Sequence, residues 1–593
     1  MANRPKWRAD TATVLGMSWR FPRVAAALCF IAVLAFASFA CGNGNSAHEV
    51  PEPAGSNGYE RPNFVIVMTD DQEVASLDVM PTVKRQLADK GVTFKNAFAS
   101  YPLCCPSRAT FQTGQYAHNH GVLDNRPPKG GYPAFKPDET MPVWLGRSDY
   151  ETAHVGKYMN DYKKSDEIPP GWDRWFGMVE PSSRYFELRV NDQGEYTKFG
   201  KKDPGDYSTD VFTDRAVEFL KGRVDEDRPF LLSVGYVAPH VARSFQPEGG
   251  HCSENGPEPA PRHLGAFDDV QIPRGPSFNE NDVTDKPASI RKQPKLRNAE
   301  LAKKTDKYQC RLETLLSVDE GVSEIIKTLR KTGELDQTYF IYTSDNGFIQ
   351  GEHRIKGGKA VPYEGAIRIP MLVRGPDVAR DENAKELVSN VDVVPTILDL
   401  AGVEAGLPTD GRSFESSLRD TGVNEGRAVL IESDHESEVF RGVRTGRYLY
   451  VERETGESEL YDLRADPNEL ESIAENPVYS EARASLRATL GRLVDCSGKA
   501  CSTTPELSVE AVRAPRNGGQ EDCRSDRAVV SVAGPDAPFV VGTRLGRPGD
   551  LGNPGYAESR TIAVPRARQV ELVAIAELAD GREKRMKATI EGC

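Results

Sequence analysis

Basic charge is in short supply: 75 Lys and Arg stand against 88 Asp and Glu in 593 residues, a formal net charge of −13. A chain without a broad basic excess is not built to hold nucleic acid or another polyanion along its surface. Long apolar runs are scarce too. Apart from Val24 to Ala40, no stretch is long enough to cross a bilayer, which excludes a helical protein of many spans. There is no internal repeat, so a stacked-repeat architecture is excluded as well. What is present is a balance of 38% hydrophobic and 27% charged residues, enough for a large buried core and incompatible with a wholly disordered chain.

Arg4, Lys6, Arg8, Arg20 and Arg23 precede the apolar stretch, and small residues lead from it to Cys41. This is the pattern of an export leader; as a membrane anchor the stretch is short and runs at once into a polar Gly, Asn and Ser segment. Ser38-Phe39-Ala40-Cys41 resembles a bacterial lipoprotein cleavage box, with Ser where Leu is usual. Free secretion and membrane attachment through a lipid on Cys41 both stay open, the second placing the protein at the outer face of a bacterial membrane. Residues 1–41 are therefore expected to be a leader, and residues 42–60, rich in Gly, Asn, Ser, Pro and Glu, a flexible linker. Outside the cytoplasm cysteines are expected to pair. Cys496 with Cys501, Cys252 with Cys310 and Cys523 with Cys593 are plausible bridges, the first closing a tight loop. Cys104 and Cys105 are neighbours, a poor geometry for a mutual bridge, and need another explanation.

From about Arg61 the chain alternates buried-strand runs (Asn63 to Thr69, Pro229 to Tyr236, Thr338 to Tyr342) with helical runs (Pro81 to Lys90, Asp214 to Lys221, Leu312 to Arg330). Near-continuous apolar strands alternating with helices predict an α/β domain over 61–425, its sheet covered by helices on both faces. Ligands gather at the carboxyl ends of strands in such sheets, and Asp70, Asp71, His240, Asp345 and Asn346 all follow those runs. Residues 245–300 are too long and polar for an ordinary connection and read as a surface insertion near the site. Short alternating strands followed by a helix predict a smaller α+β subdomain over 426–503. A β-rich accessory module is expected over 504–593, sandwich-like with a hairpin signal at Asp580-Gly581, either a carbohydrate- or wall-contacting unit or a packed spacer.

Cys104-Cys105-Pro106-Ser107-Arg108 is followed by Ala109-Thr110 and Thr113-Gly114. On their own the two cysteines read as small buried apolar residues. The run Cys-x-Pro-Ser-Arg, however, resembles the signature of the type I sulfatases, in which the first cysteine is oxidised to formylglycine (3-oxoalanine). The resemblance covers roughly residues 61 to 470, including Asp392 to Leu400 and Glu459 to Glu469, which are similar to structural signatures of the same family. The double cysteine, Lys157-Tyr158-Met159-Asn160 and His118-Asn119-His120 bring it nearest to the N-acetylglucosamine-6-sulfatase and arylsulfatase branch. The fold so implied is a large mixed β-sheet sandwiched by helices, of the sulfatase and alkaline-phosphatase kind.

Sulfate-ester cleavage explains the residue types. Oxygens bearing negative charge surround the sulfur and repel an anionic nucleophile until cations bind them. The resemblance implies a Ca²⁺ site formed by Asp70, Asp71, Asp345, Asn346 and an oxygen of converted Cys104, an all-oxygen set suited to that ion. Each acidic pair alone would read as a solvated turn. It further implies that Arg108, Lys157 and Lys359 surround the sulfate, and that His240 contacts the ester oxygen. One hydroxyl of the formylglycine hydrate would attack sulfur, His240 or Lys359 would protonate the leaving oxygen, and the second hydroxyl would expel sulfate. His118, Asn160 and His353 are added as pocket candidates, since Met159 stands where many arylsulfatases carry a histidine. The implied partners are a sulfated small molecule or carbohydrate, first a sugar 6-O-sulfate and second an aryl sulfate, and a formylglycine-generating enzyme; no nucleic acid is expected. The alternatives are a phosphate or phosphonate ester hydrolase on the same fold, and a noncatalytic surface carbohydrate binder.

Overall fold

The computed structural model describes residues 61–501, with breaks at 201–202, 225, 243–251, 253–255 and 424–425, and strand segments between 508 and 590. The leader, Cys41, the linker, the Cys523 and Cys593 pair and the Asp580-Gly581 turn lie outside the described residues.

A ten-stranded mixed sheet forms the centre, in the order β10-β2-β9-β8-β1-β7-β3-β4-β5-β6. In chain order these are β1 (Asn63–Thr69), β2 (Val92–Phe98), β3 (Glu151–Gly156), β4 (Arg174–Met178), β5 (Arg189–Asp192), β6 (Glu195–Lys198), β7 (Phe230–Gly235), β8 (Thr338–Ser344), β9 (Met371–Arg374) and β10 (Glu382–Ser389). Every residue of β1 and β8 is buried, and β1 runs parallel to both β7 and β8, as an apolar strand enclosed on two faces should. Its side chains alternate between two cores. Phe64, Ile66 and Met68 join the cluster that holds Ala109, Phe111, Trp144, Val393 and Ile397. Val65 and Val67 join the one that holds Val211, Phe212, Leu315 and Val318. The helices Cys104–Thr113, Met141–Arg147 and Val393–Ala401 thus cover one face, and Ser208–Lys221 and Asn298–Thr332 the other.

The long helix begins fourteen residues before Leu312, where the apolar periodicity starts, because residues 298–307 are a polar, largely solvated segment. It is opened by Glu300, which accepts from the Arg297 amide at 3.0 Å, and closed by Gly333 in a left-handed conformation, φ +82°.

A second sheet is a plain antiparallel meander of β11 (Val429–His435), β12 (Glu438–Arg444), β13 (Tyr448–Arg453) and β14 (Ser458–Asp462). The helix Ser480–Leu493 packs Leu486, Leu490 and Leu493 against Leu430, Val443 and Tyr450 of this sheet. Cys496 is bonded to Cys501 and Cys252 to Cys310. Among the described residues, 256–297 carry only short helical turns at Pro261–His263 and Ala288–Arg291, and they lie against the loop after β8 through the His353 amide, which donates to the Ser277 carbonyl at 2.8 Å. The described tail strands form antiparallel sheets of three and four strands.

Candidate active site

The register of β1 and β8 brings Thr69 level with Ser344, so the residues that follow emerge side by side. The Asp345 amide donates to the Thr69 carbonyl at 3.1 Å, the Asp71 amide to Asp345 Oδ1 at 3.2 Å, and Asn346 Nδ2 to Asp71 Oδ1 at 2.7 Å. Asp71 takes a left-handed backbone, φ +66°, which Asp tolerates better than most residues. Cys104 opens the next helix with Sγ 3.3 Å from Asp70 Oδ1. That helix is pinned at its first turn by Ser107, whose hydroxyl donates to the Asp345 carbonyl and accepts from Asn390 Nδ2 at 3.0 Å.

Cations close the ring. Arg108 donates from Nε to Asp345 Oδ2 at 2.8 Å and from Nη1 to the Lys157 carbonyl at 2.8 Å. Lys157 follows β3 and its amide donates to the Gly235 carbonyl at 2.8 Å; a Cβ on Gly235 would stand 2.2 Å from the Lys157 carbonyl, so only glycine fits there. Lys157 Nζ bonds Asp70 and lies 3.8 Å from Cys104 Sγ. Lys359 Nζ bonds Asp71 and lies 2.6 Å from Cys104 Sγ, carried by a loop whose Gly357 and Gly358 both have positive φ. His240 Nδ1 stands 2.7 Å from the Val241 carbonyl, which assigns the proton to Nδ1 and leaves Nε2 facing Asp71 Oδ2 at 3.7 Å.

Burial pushes Asp70 and Asp71 upward, yet the facing lysines, His240 and, for Asp70, Arg108 hold Asp70 well below and Asp71 below the ordinary carboxylate range. Asp345 goes the other way, raised by burial and by Asp70 against the pull of Arg108. Burial, reinforced by Asp70, raises the Cys104 thiol despite both lysines, so the unmodified sulfur is a thiol at neutral pH and a poor nucleophile. His240 is lowered by burial, opposed by Asp70 and Asp71.

The donor set fits a hard divalent cation. Asp70, Asp71, Asp345 and Asn346 are fully or almost fully buried. Asn346 Nδ2 donates to Asp71 and to the Gly347 carbonyl, whereas Asn346 Oδ1, equally buried, has no hydrogen-bond partner among the described residues. An acceptor left without a donor among carboxylates is what a metal-facing oxygen requires. The negative charges of Asp70, Asp71 and Asp345 match the positive charges of Arg108, Lys157 and Lys359, so a divalent ion would leave the site net positive toward an anionic ester.

The structure therefore gathers Asp70, Asp71, Cys104, Arg108, Lys157, His240, Asp345, Asn346 and Lys359 at one place. Asn160 stands beside it, lining a cavity of about 340 Å³ with Asn125, Arg126, Lys157, Asp161, Glu180, Ser183 and His240. Two pocket candidates are elsewhere. His118 lies between Glu432 Oε2, 3.1 Å away, and the Cys496 carbonyl, 2.9 Å away, where it joins the nucleophile-bearing half to the meander. His353 is buried between Glu280 Oε2 at 2.7 Å and Glu469 Oε2 at 3.9 Å, with Tyr363 against its ring. Both are corrected to joints between subdomains, their charge spent on buried carboxylates instead of facing the cavity. Cys105 points away from the cluster, its sulfur accepting from the Asn160 amide at 3.0 Å and its pKa pushed up to about 12 by burial.

Sequence reading missed Arg311. From the middle of the long helix it donates to the Asp71 carbonyl, to Glu73 Oε2 at 2.6 Å and to the Pro239 carbonyl at 3.1 Å, its guanidinium 4.3 Å from the Phe348 ring. One side chain so braces the segments that carry Asp71, His240 and Asn346. Its only signal was a lone charge inside an otherwise apolar helical stripe.

Comparison with known proteins agrees with this site. Residues 62–403 match the family described as Sulfatase, and residues 351–495 the family described as N-sulphoglucosamine sulphohydrolase, C-terminal. An arylsulfatase of Volvox carteri is 34% identical over 516 residues, covering 76% of this chain and 78% of that protein. The N-acetylglucosamine-6-sulfatase of Homo sapiens is 31% identical over 496 residues, covering 75% of this chain and 87% of that protein. A solved structure described as a complex with its substrate D-glucosamine-2-N,6-O-disulfate superposes with a TM-score of 0.63 at 25% identity, covering 73% of this chain and 97% of the other.

Proposed function

The chain belongs to the sulfatase family and is a sulfuric ester hydrolase, and from that premise we propose that it is a Ca²⁺-dependent exported enzyme that removes a 6-O-sulfate from a sugar. The observation that carries the substrate class is the lining of the cavity beside Lys157 and His240: Asn125, Arg126, Asn160, Asp161, Glu180 and Ser183 are all polar. An aryl ring would meet no apolar or aromatic wall there, whereas sugar hydroxyls would find hydrogen-bond partners throughout. The disulfated glucosamine bound by the structural relative supports the same choice.

Asp70, Asp71, Asp345 and the unpartnered Asn346 Oδ1 would hold Ca²⁺. Bound Ca²⁺ supplies a Lewis acid for the sulfate oxygens, and Cys104 converted to formylglycine supplies, as its hydrate, the hydroxyl nucleophile. Lys157 and Lys359 neutralise the oxygens around sulfur, and Arg108 orients the carboxylate of Asp345 while its carbonyl bond to Lys157 keeps that lysine in place. Lys359, held well above its ordinary range despite burial by the carboxylates of Asp71, Asp70 and Asp345, stays protonated beside the reacting centre. His240, lowered by burial, keeps its Nδ1 proton on the Val241 carbonyl, and Nε2 takes up a proton from water and delivers it to the departing sugar oxygen. Export is supported by the leader-like first 41 residues and by the disulfides Cys252–Cys310 and Cys496–Cys501.

A panel of N-acetylglucosamine 6-sulfate, 4-nitrophenyl sulfate and 4-nitrophenyl phosphate, run with Ca²⁺ present and after chelation, tests this reading. The expected result is fastest turnover of the sugar ester and a loss of at least about 100-fold on chelation. Faster turnover of the phosphate, or activity indifferent to chelation, would overturn it.

A further inference from the structure

The cavity beside the cluster has a second charged wall. Residues 124–130 form a closed loop: the Leu123 amide donates to the Lys129 carbonyl at 2.8 Å and the Gly131 amide to the Asp124 carbonyl at 2.9 Å. The loop is tied to the nucleophile helix, because Asn125 Oδ1 accepts from the Cys105 amide at 2.8 Å. Pro127 and Pro128 restrict its tip. Arg126 sits on this loop, exposed at the cavity, and among the described residues its side chain makes no hydrogen bond or ion pair.

The other charges on that wall are already engaged. Asp161 pairs with Lys163 Nζ at 3.2 Å. Glu180 accepts from the Asp161 amide at 2.6 Å and from the Ser182 hydroxyl and amide at 2.8 and 3.1 Å. Off that wall, at the base of the loop, Asp124 accepts from the Asn125 amide at 2.6 Å. Among the described residues Arg126 is thus a guanidinium without a partner, on a loop closed by backbone bonds at the cavity that Lys157 and His240 also line.

We propose that Arg126 is a specificity residue that takes a second oxyanion, a sulfate or carboxylate group, on the sugar whose sulfate ester is held at Lys157. This rests on the sugar-sulfatase reading above. A planar guanidinium can grip either group with two parallel N–H bonds, and the exposed rim leaves the contact sensitive to salt. The substrate class is then a sugar bearing at least two negative groups, the ester to be cleaved and one more.

Titration calorimetry on the full chain carrying Cys104→Ala, which removes turnover, with Ca²⁺ present, tests this. The probes are N-acetylglucosamine 6-sulfate, glucosamine 2-N,6-O-disulfate, and N-acetylglucosamine 6-sulfate linked to a uronic acid. At least one of the doubly anionic probes should bind about tenfold tighter than the first, and 1 M NaCl should shrink that preference. Arg126→Ala should erase the preference by weakening the preferred doubly anionic probe about tenfold more than N-acetylglucosamine 6-sulfate, while Arg126→Lys should keep part of it. Loss confined to the disulfate assigns the N-sulfate; loss confined to the uronic acid probe assigns the carboxylate. Equal weakening of all three probes, or of none, overturns the role of Arg126 while leaving the sugar reading intact. No binding of any probe, with 4-nitrophenyl sulfate still hydrolysed by the wild-type chain, overturns the sugar reading together with this proposal.

Discussion

Among the described residues, two buried charge clusters can be set side by side, each combining carboxylates with cationic side chains and a histidine. Around Cys104, Asp70, Asp71, Asp345, Arg108, Lys157, Lys359 and His240 converge on one point that opens to a cavity, and an amide oxygen of Asn346 is left over. Between the main sheet and the meander, His353, Glu280, Glu469, Tyr363, Glu459 and Arg453 interlock. Tyr363 donates to Glu459 at 2.8 Å, Arg453 Nε to Glu459 at 3.1 Å, and the Glu364 amide to Glu469 at 3.1 Å. In both clusters the charges answer one another; only the first also opens to a cavity and leaves a buried acceptor, Asn346 Oδ1, without a donor among the described residues. Burial and ionisable side chains alone therefore do not mark a functional site, whereas convergence on open space with an unmet acceptor does.

The sharpest way to break this contrast is to remove the centre of the first cluster. Cys104→Ala should lower sulfate release by about 10⁴-fold or more while leaving the thermal midpoint within a few degrees of the parent. Retained turnover would move the nucleophile to Cys105 or another site. The complementary change in the second cluster is Glu469→Ala, which strands the Glu364 amide and leaves His353 with Glu280 alone. It should cost roughly 3 kcal/mol in denaturant unfolding, with turnover per folded molecule nearly intact. A large loss of turnover at unchanged stability would erase the distinction between the clusters.

A smaller effect follows from pH. Burial alone would lower His353, but Glu280 and Glu469 raise it from 6.5 to about 9. A group raised in the folded state contributes its stability in full below its unfolded value and loses it as pH rises through the folded value. The parent should therefore lose stability between about pH 6.5 and 9, on the order of 3 kcal/mol at most, and His353→Gln should flatten that slope. Matching slopes in the two proteins, measured by urea unfolding across this range, would show that His353 is not charged in the folded state.

The same contrast explains what could be read from the chain alone. Asn63 to Thr69 and Thr338 to Tyr342 announce themselves because strands enclosed on both faces must be apolar throughout, and a carboxylate pair directly after such a strand can only be at its carboxyl end. Cys104 and Arg108 share a helix turn, so their spacing already fixed their common face. His118 and His353 misled because a histidine near a reactive motif looks the same whether it faces a cavity or a glutamate from another subdomain, in the case of His118 one that is 314 positions away. Arg311 stayed hidden for the same reason: its partners are two backbone carbonyls, which leave no trace in an amino-acid pattern, and a glutamate 238 positions away. The first turns of the long helix were missed because its buried face begins only at Tyr308.

Arg311 also sets how the site can deform. Because a single guanidinium on the outer helix fastens both the peptide of Asp71 and the peptide before His240, the seat for the ion and the seat for the proton carrier share one rivet. A push on that helix would displace them together, so their mutual spacing survives motions that would shear apart two independently mounted loops.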